Sequence, residues 1–253
     1  NPLFLPKNLM PMSYIFREHI KQSLAVIAFL ITLTACTSES YDAGDGPNSY
    51  LTAYLVLLHT SQDKSVRSAL LDDGTTLQFS NPFAQDWLTR PDSVYRALLY
   101  SDKTVAASDA AASNPTATSI VRARSVHPVS VLRPVEAEDM ETLRTDPVGF
   151  ESLWMSKNKS YINLSLLLKS GKTEADDAMH ALGIVSYGTT TDVDRRRTLH
   201  LTLYHDQGGV PAYYTVQQYV SIPTQLLEEA DTVELTLNTY NGKKVMKVAV
   251  SNL

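Results

Sequence analysis

Residues 233–250 have the sequence VELTLNTYNGKKVMKVAV, and this stretch indicates how the chain folds. Every second residue from Val233 to Leu237 is apolar, and a similar run follows the pair Asn241-Gly242. Such alternation places apolar side chains on one face of a strand. Asn-Gly is typical of a two-residue hairpin turn, because both turn positions adopt positive φ. The stretch therefore predicts a β-hairpin whose apolar face must be covered by a second sheet.

The same kind of pattern extends upstream through the second half of the chain. Four further apolar or alternating runs precede the hairpin, at 161–168, 178–187, 199–204 and 213–222. The segment 223–230 (PTQLLEEA) predicts only one or two helical turns. Six strands with one-sided apolar faces must bury those faces against each other, which predicts a C-terminal β-sandwich over residues 147–253.

The first half predicts a smaller all-β domain over residues 50–136. Its β-forming runs lie at 50–58, 66–71, 75–79, 94–100 and 120–135, the last interrupted by Pro128 and Pro134. Asp72-Asp73-Gly74 joins the second and third runs and predicts a hairpin turn. Five short strands fit an OB-like barrel. The small and polar residues 101–119 predict a long mobile loop, and the acidic segment 137–147 predicts a domain boundary.

The N-terminal region has the three parts of a lipoprotein signal peptide. Arg17 and Lys21 precede the ten-residue apolar run 24–33, which is too short to span a membrane but suits a signal peptide. Small residues then lead to Cys36, the only cysteine. This predicts cleavage of residues 1–35, lipid attachment to Cys36 and a flexible tether at 36–49. The alternative is a buried thiol at the end of a short core helix.

The net charge of the chain limits the classes of partner that it can bind. The formal charge is −5 for the whole chain and about −7 for residues 36–253, with 19 basic and 26 acidic residues. A chain with this negative charge is a poor nucleic-acid binder, because neutralising phosphates supplies most of that affinity. We expect the chain to bind a membrane through its N-terminal lipid. Thr37, rather than Asp, follows Cys36 and favours the outer membrane, with the periplasmic and surface faces both open.

Three stretches resemble the NigD-like lipoproteins of Bacteroidetes. They are LLDDGTTLQF with YRALLYSD in the first half, DPVGFESLWMSKNKSYINLSLLLKS at 146–170, and LHLTLYHDQ with the 233–250 hairpin. The resemblance implies a lipoprotein signal, an OB-like domain and a β-sandwich. It also implies a role resembling bacteriocin immunity, and it supplies no catalytic residues. The loop at 101–119 departs from the family pattern and leaves the limits of the first domain open.

Aromatic and basic residues provide the candidate binding sites. Trp87, Trp154, Tyr213 and Tyr219 lie on or beside predicted strands, and exposed Trp and Tyr form interfaces or stack on sugars. The alternative is core or cross-strand packing. We expect Trp154 to fill the gap between the two domains. Arg196, in a basic triplet, either contacts an anionic partner or lies in a solvated loop.

The sequence predicts no catalytic residue, metal site or cofactor. His200 and His205 are five residues apart, which on a strand sends them to opposite faces and argues against a shared metal. The adjacent acidic pairs fit turns better than a catalytic cleft, and no Gly-x-Ser-x-Gly or phosphate-binding loop occurs.

These observations favour a membrane-anchored, non-catalytic binding lipoprotein of the cell envelope. Its partner would be a protein or a small ligand, and a role resembling bacteriocin immunity follows from the family resemblance. Two alternatives remain open, namely an envelope hydrolase acting on glycans and an accessory subunit of an outer-membrane complex.

Overall fold

The computed structural model describes residues 51–102, 119–172, 178–227 and 230–250. These residues belong to one compact unit and are almost entirely β-structure. The helical content of the described ranges is limited to short 3-10 turns, including Ala137–Asp139 and Thr224–Leu226. Within the same ranges, no helix has the length and apolar character needed to cross a bilayer. The predicted signal peptide, Cys36, the tether and most of the predicted 101–119 loop lie outside the described residues.

The first sheet curls into an OB-like barrel. Its strand order is β5-β3-β2-β1-β4-β6. The strands are β1 (Leu51–Thr60), β2 (Val66–Leu71), β3 (Thr76–Phe83), β4 (Val94–Asp102), β5 (Ser119–Val121) and β6 (Ala123–Pro128). The two edge strands are separated only by Arg122, and β5 pairs parallel with β3 while β6 pairs antiparallel with β4. One short segment therefore joins both edges, as expected for an OB-like barrel.

Alternating side chains and a glycine turn account for this barrel. Val56, Leu58, Leu77 and Leu99 are buried in its core. The predicted turn between β2 and β3 is present, with Gly74 at φ +89°. Since only glycine adopts such a φ without strain, the Asp-Gly pair selects the hairpin and fixes which side chains face inward.

The second half forms the predicted β-sandwich. One sheet has the order β7-β13-β10-β9, and the other has the order β15-β14-β12-β11-β8. The strands are β7 (Ser130–Val131), β8 (Pro134–Glu136), β9 (Gly149–Met155), β10 (Tyr161–Ser170), β11 (Ala181–Thr191), β12 (Arg197–Asp206), β13 (Tyr214–Pro223), β14 (Thr232–Thr239) and β15 (Gly242–Ala249). Leu164, Leu166, Leu201 and Leu235 meet in one core, and each buried leucine stabilises the fold by about 1.5–3 kcal/mol.

The predicted run 120–135 is not one strand but parts of four. Pro128 ends β6 and Pro134 begins β8, so the chain changes direction at both prolines. Beyond Pro128 the backbone leaves the barrel, and β7 pairs with β13 while β8 pairs with β11. Residues 130–136 therefore complete the sandwich sheets, although they precede the predicted start of that domain at 147. The domain limits themselves stay a prediction.

Strand β10 is buried on both faces, and this positions the candidate site. Ile162, Leu164, Leu166 and Leu168 face the sandwich core. The residues between them include Asn163 and Ser165, which are 0% and 1% exposed. Because successive side chains on a strand point to opposite faces, these two polar groups lie on the side away from the sandwich core. Asn163 there hydrogen-bonds to residues of the barrel.

Candidate binding cleft

A cleft of about 500 Å³ lies between the barrel wall and the outer face of the sheet that contains β10. Two adjacent barrel strands contribute Leu55 and Leu98, which are register partners. The sandwich sheet contributes Trp154 and Tyr219. The other lining residues are Ala53, Tyr54, Leu71, Asp72, Asp73, Ser152, Met155, Ser156 and Lys157. The walls are thus apolar and aromatic, with polar and charged side chains among them.

Trp154 and Tyr219 form an aromatic pair that spans the central strand of the sheet. Trp154 is opposite Asn163 on one side of β10, and Tyr219 is opposite Ser165 on the other. Their ring centroids are 6.4 Å apart, with an interplanar angle of 82°. Both side chains are half-buried. This edge-to-face contact fixes the two rings in the cleft wall, while each keeps surface for a ligand.

Asp72 lines the cleft and is held in place by Arg96. The guanidinium of Arg96 donates from Nη1 to Asp72 Oδ1 at 2.6 Å and from Nη2 to Asp72 Oδ2 at 2.7 Å. It also donates to Asn163 Oδ1 at 3.0 Å and to Ser221 Oγ at 3.1 Å. The Arg96 Cζ atom lies 4.3 Å from the ring centroid of Tyr161. A buried arginine with this many partners fixes the barrel against the sandwich sheet.

Asp73 is the second carboxylate of the cleft, and it too interacts with neighbouring polar and charged groups. Burial alone would raise the pKa of Asp73, but hydrogen bonds from Thr75 and the positive charge of Lys157 lower it overall. The backbone N–H of Thr75 donates to Asp73 Oδ1 at 2.9 Å. Asp73 is therefore an ionised turn residue, and Asp72 is a structural partner of Arg96. The lowered pKa of Asp73 is the opposite of what a general acid needs.

The structure brings together two of the predicted binding residues and separates the other three. Trp87 packs edge-to-face against Tyr95, with centroids 5.8 Å apart, and contacts the barrel core. Tyr213 precedes β13 and is 78% exposed. Arg196 is exposed in the turn between β11 and β12, where its N–H donates to Asp192 Oδ1 at 2.8 Å. Only Trp154 and Tyr219 line the cleft.

The histidines occupy the two faces predicted for them. His205 is 1% exposed, whereas His200 is half-buried on the opposite face of β12. His180 stacks on His205 at a centroid distance of 5.2 Å, and His180 Nδ1 is 3.0 Å from His205 Nε2. His205 Nδ1 is 3.0 Å from the carbonyl oxygen of Asp146, which can only accept a hydrogen bond. In neutral His205, Nδ1 therefore donates and Nε2 accepts from His180.

His200 lies in a hydroxyl–imidazole–carboxylate chain on the outer face of the sandwich. Its Nε2 is 2.8 Å from Thr190 Oγ1, and its Nδ1 is 3.2 Å from Glu234 Oε1. Glu234 also pairs with Lys247 at 3.2 Å. The hydrogen bond from Lys247 lowers the pKa of Glu234, desolvation opposes this effect, and the hydrogen bond with His200 adds to the lowering. His200 and Glu234 line a cavity of about 480 Å³ on this face. The carboxylate that Glu234 shares with Lys247 fits cross-strand pairing better than nucleophile activation.

No group of three or more metal-ligating side chains occurs within the described ranges. The stacked imidazoles of His180 and His205 could supply at most two ligands, and three of their four nitrogen atoms are already engaged with each other and with the Asp146 backbone. A zinc site needs three or four converging ligands.

The buried network was missed by sequence reasoning, although one signal was available. Arg96 is the only charged residue in the apolar run VYRALLY. An arginine in such a strand needs a partner when buried. Its partners are 24, 67 and 125 residues away in the chain, so the sequence could indicate the need for a partner but not its identity.

The barrel, the sandwich and the cleft between them define an all-β protein. Residues 131–250 match the family described as the NigD-like C-terminal beta sandwich domain. The match covers 120 of the 253 residues and confirms the NigD-like resemblance that the sequence motifs indicated. No functionally curated protein matches it.

Solved structures share the fold over most of the chain. A NigD-like immunity protein from Bacteroides caccae is 23% identical, with a TM-score of 0.57 over 78% of this chain and 91% of its own. A proposed lipoprotein from Bacteroides fragilis is 15% identical, with a TM-score of 0.55 over 79% and 98%. A proposed toxin-related protein from Parabacteroides distasonis is 19% identical, with a TM-score of 0.51 over 78% and 92%. At these identities the likeness establishes the fold alone.

Proposed function

We propose that this chain is a non-catalytic binding lipoprotein of the cell envelope, anchored through lipid on Cys36 and using the cleft as its ligand site. The observation that carries the binding role is the pair formed by Trp154 and Tyr219. Two aromatic residues from different strands meet in the wall of a cleft of about 500 Å³. Concave sites with aromatic walls and a few polar groups are typical of small-molecule binding.

The surroundings of the two cleft aspartates support a binding role rather than a catalytic one. A glycoside hydrolase needs two carboxyl groups facing each other across the scissile bond, one with a raised pKa. In the cleft, Asp72 is held by Arg96, and the pKa of Asp73 is lowered. The envelope hydrolase is therefore the weaker alternative.

The anchoring part of the proposal is supported by the signal pattern before Cys36. The similar fold of the proposed Bacteroides fragilis lipoprotein is consistent with it. The test is metabolic labelling of cells with an alkyne fatty acid, followed by mass spectrometry of the N-terminus. We expect a diacylated N-terminal cysteine at position 36, and loss of label in Cys36→Ser. An intact N-terminus with an unmodified thiol contradicts the anchoring. Fractionation of the same cells tests the outer-membrane assignment.

The binding part is tested with Trp154 as the reporter. Trp87 and Trp154 are the two tryptophans of the chain, so in Trp87→Phe the tryptophan emission comes from the cleft residue alone. Fractions of an envelope extract are titrated into this full-length variant in detergent. We expect a saturable change with at least one fraction, reduced at least tenfold in affinity by Tyr219→Ala and unaffected by Tyr213→Ala. If none of the fractions gives a saturable change, binding in the cleft is contradicted.

The same titration separates the alternatives. A bound compound that is recovered unchanged after prolonged incubation supports a non-catalytic role, whereas its cleavage supports the hydrolase. Stoichiometric co-purification with an outer-membrane protein supports the accessory-subunit alternative. A role resembling bacteriocin immunity predicts that deletion of the gene sensitises the cells to toxins of neighbouring strains, and unchanged sensitivity contradicts it.

A further inference from the structure

We infer that the cleft between barrel and sandwich binds a neutral oligosaccharide, with a sugar ring placed against Trp154 and Tyr219. This inference rests on the proposed function, because it names the ligand class of the same site. Three properties of the cleft support it, namely balanced charge, aromatic walls and polar groups within reach of those walls.

The charges of the cleft cancel each other. The carboxylate of Asp72 is matched by the guanidinium of Arg96 in a two-point contact. The carboxylate of Asp73 lies close enough to Lys157 for that ammonium group to lower its pKa. Because each carboxylate of the cleft wall already has a cationic partner, a charged ligand of either sign gains little net attraction there. A neutral ligand needs no such attraction, so the balanced charges favour it.

The aromatic side chains select a ligand with flat apolar faces. The rings of Trp154 and Tyr219 are nearly perpendicular, at 82°, so a ligand lying on one ring meets the edge of the other. The opposite wall presents Leu55 and Leu98 from the barrel. A pyranose ring carries C–H groups on its faces and hydroxyls around its rim, and aromatic rings bind such C–H faces.

The polar residues argue against a purely apolar ligand. Ser152, Asp73 and Lys157 line the same cleft as the aromatic rings. A hydrocarbon ligand would remove water from these groups without replacing their hydrogen bonds, which is unfavourable. Sugar hydroxyls both donate and accept, so they can replace the lost water at carboxylate, ammonium and hydroxyl groups alike. The volume of about 500 Å³ falls within the range of small-ligand sites and leaves room for a short oligosaccharide.

The test uses the full-length Trp87→Phe protein in detergent and a defined set of probes. The neutral probes are hexasaccharides of α-glucose, β-glucose, β-mannose and N-acetylglucosamine. The comparison probes are a hexamer of galacturonic acid and a tyrosine-containing tetrapeptide. We expect at least one neutral hexasaccharide to give a saturable shift of Trp154 emission. We further expect calorimetry to show that Trp154→Ala and Tyr219→Ala each bind this sugar at least tenfold more weakly. The matched control is Tyr213→Ala, which removes an exposed tyrosine outside the cleft and should leave the affinity unchanged.

The outcomes separate this inference from the proposed function. Binding of the tetrapeptide or the acidic hexamer, but of no neutral sugar, overturns the ligand class and leaves the binding role intact. A response to envelope extract without a response to any neutral sugar has the same meaning. If neither the probes nor the extract fractions change the Trp154 emission, both the oligosaccharide inference and the proposed binding function are overturned. Neutral-sugar binding that survives Trp154→Ala and Tyr219→Ala overturns the assignment to this cleft. Circular dichroism of each variant shows whether it has folded.

Discussion

Arg96 of the barrel and Asp72 of the neighbouring hairpin form a two-point ion pair, with nitrogen–oxygen distances of 2.6 and 2.7 Å. The Arg96 side chain is 1% exposed and that of Asp72 is 20% exposed. Because Arg96 also donates to Asn163 and Ser221 on two sandwich strands, this pair links the barrel to the sandwich. The cleft keeps its shape only while the two sheets hold this alignment.

Arg96→Met should lower the free energy of unfolding by about 3 kcal/mol. The substitution keeps the apolar volume but leaves the Asp72 carboxylate and the Asn163 amide oxygen without their strongest donor. Urea unfolding measures the loss. The matched control is Arg124→Met, since Arg124 and Asp102 form an exposed pair, 46% and 35% exposed, which should contribute at most about 1 kcal/mol. Equal effects of the two substitutions would contradict the linking role of Arg96.

Asn163→Ala should be coupled to Arg96→Met rather than additive with it. The Asn163 amide oxygen accepts from Arg96 and Ser221, and its Nδ2 donates to Asp72 at 3.1 Å. Residues in one hydrogen-bond network typically show interaction energies of about 0.5–3 kcal/mol. A double-mutant cycle by urea unfolding measures this coupling. The exposed Asn238 is the control partner, and its Ala variant should be additive with Arg96→Met.

Gly208 and Gly209 provide a matched pair for testing steric fit. Both have positive φ, at +59° and +75°. A Cβ atom at Gly208 would lie 2.1 Å from the carbonyl oxygen of Met179, whereas one at Gly209 meets nothing within 4 Å. Gly209→Ala should therefore cost about 1 kcal/mol for the backbone conformation. Gly208→Ala should cost about 1–3 kcal/mol more, because the backbone beside His180 must move. Thermal unfolding of both variants measures the difference.

Stability should decrease as the pH falls below neutrality, because of His180. Burial, and then the neighbouring His205, lower the pKa of His180 from its ordinary value of 6.5, despite a hydrogen bond with the Lys169 backbone. The unfolded chain therefore binds this proton more readily than the folded protein does. The stabilisation is complete above about pH 6.5 and is lost as the pH falls through 6.5 towards the lowered pKa.

The measurement is urea unfolding between about pH 7.5 and about pH 5. His180→Gln should weaken the pH dependence over this window, since it removes the titrating group. The control His59→Gln, at an exposed position on β1, should leave the pH dependence of stability unchanged. The same slope in the wild type and in His180→Gln would show that other groups cause the loss.

Local patterns in the sequence predicted much of the fold correctly. Both predicted hairpins are present, but the second turn lies one residue earlier than predicted. Its two loop residues are Tyr240 and Asn241, because Gly242, at φ +102°, already pairs with Thr239. The alternation in 233–250 places Val233, Leu235 and Leu237 in the core. The opposite faces of His200 and His205 also followed from strand geometry. These features depend on side-chain alternation and turn conformation, which neighbouring residues determine. Pro128 and Pro134 marked two of the breaks in the segment 120–135, since β6 ends at the first and β8 begins at the second. The division at Arg122 and the distribution of the pieces over three sheets depend on distant pairing partners, which the local sequence does not indicate.

The sequence by itself determined an all-β chain, its hairpins, the NigD-like resemblance and the candidate aromatic residues. Only the tertiary structure decided which of those residues share a site. Trp154 and Tyr219 are 65 positions apart, and β10 brings them together because it pairs with β9 on one side and β13 on the other. Trp87 has the same chemistry but packs in the barrel. Strand pairing between distant segments depends on the fit of whole sheets, and no local pattern encodes that fit.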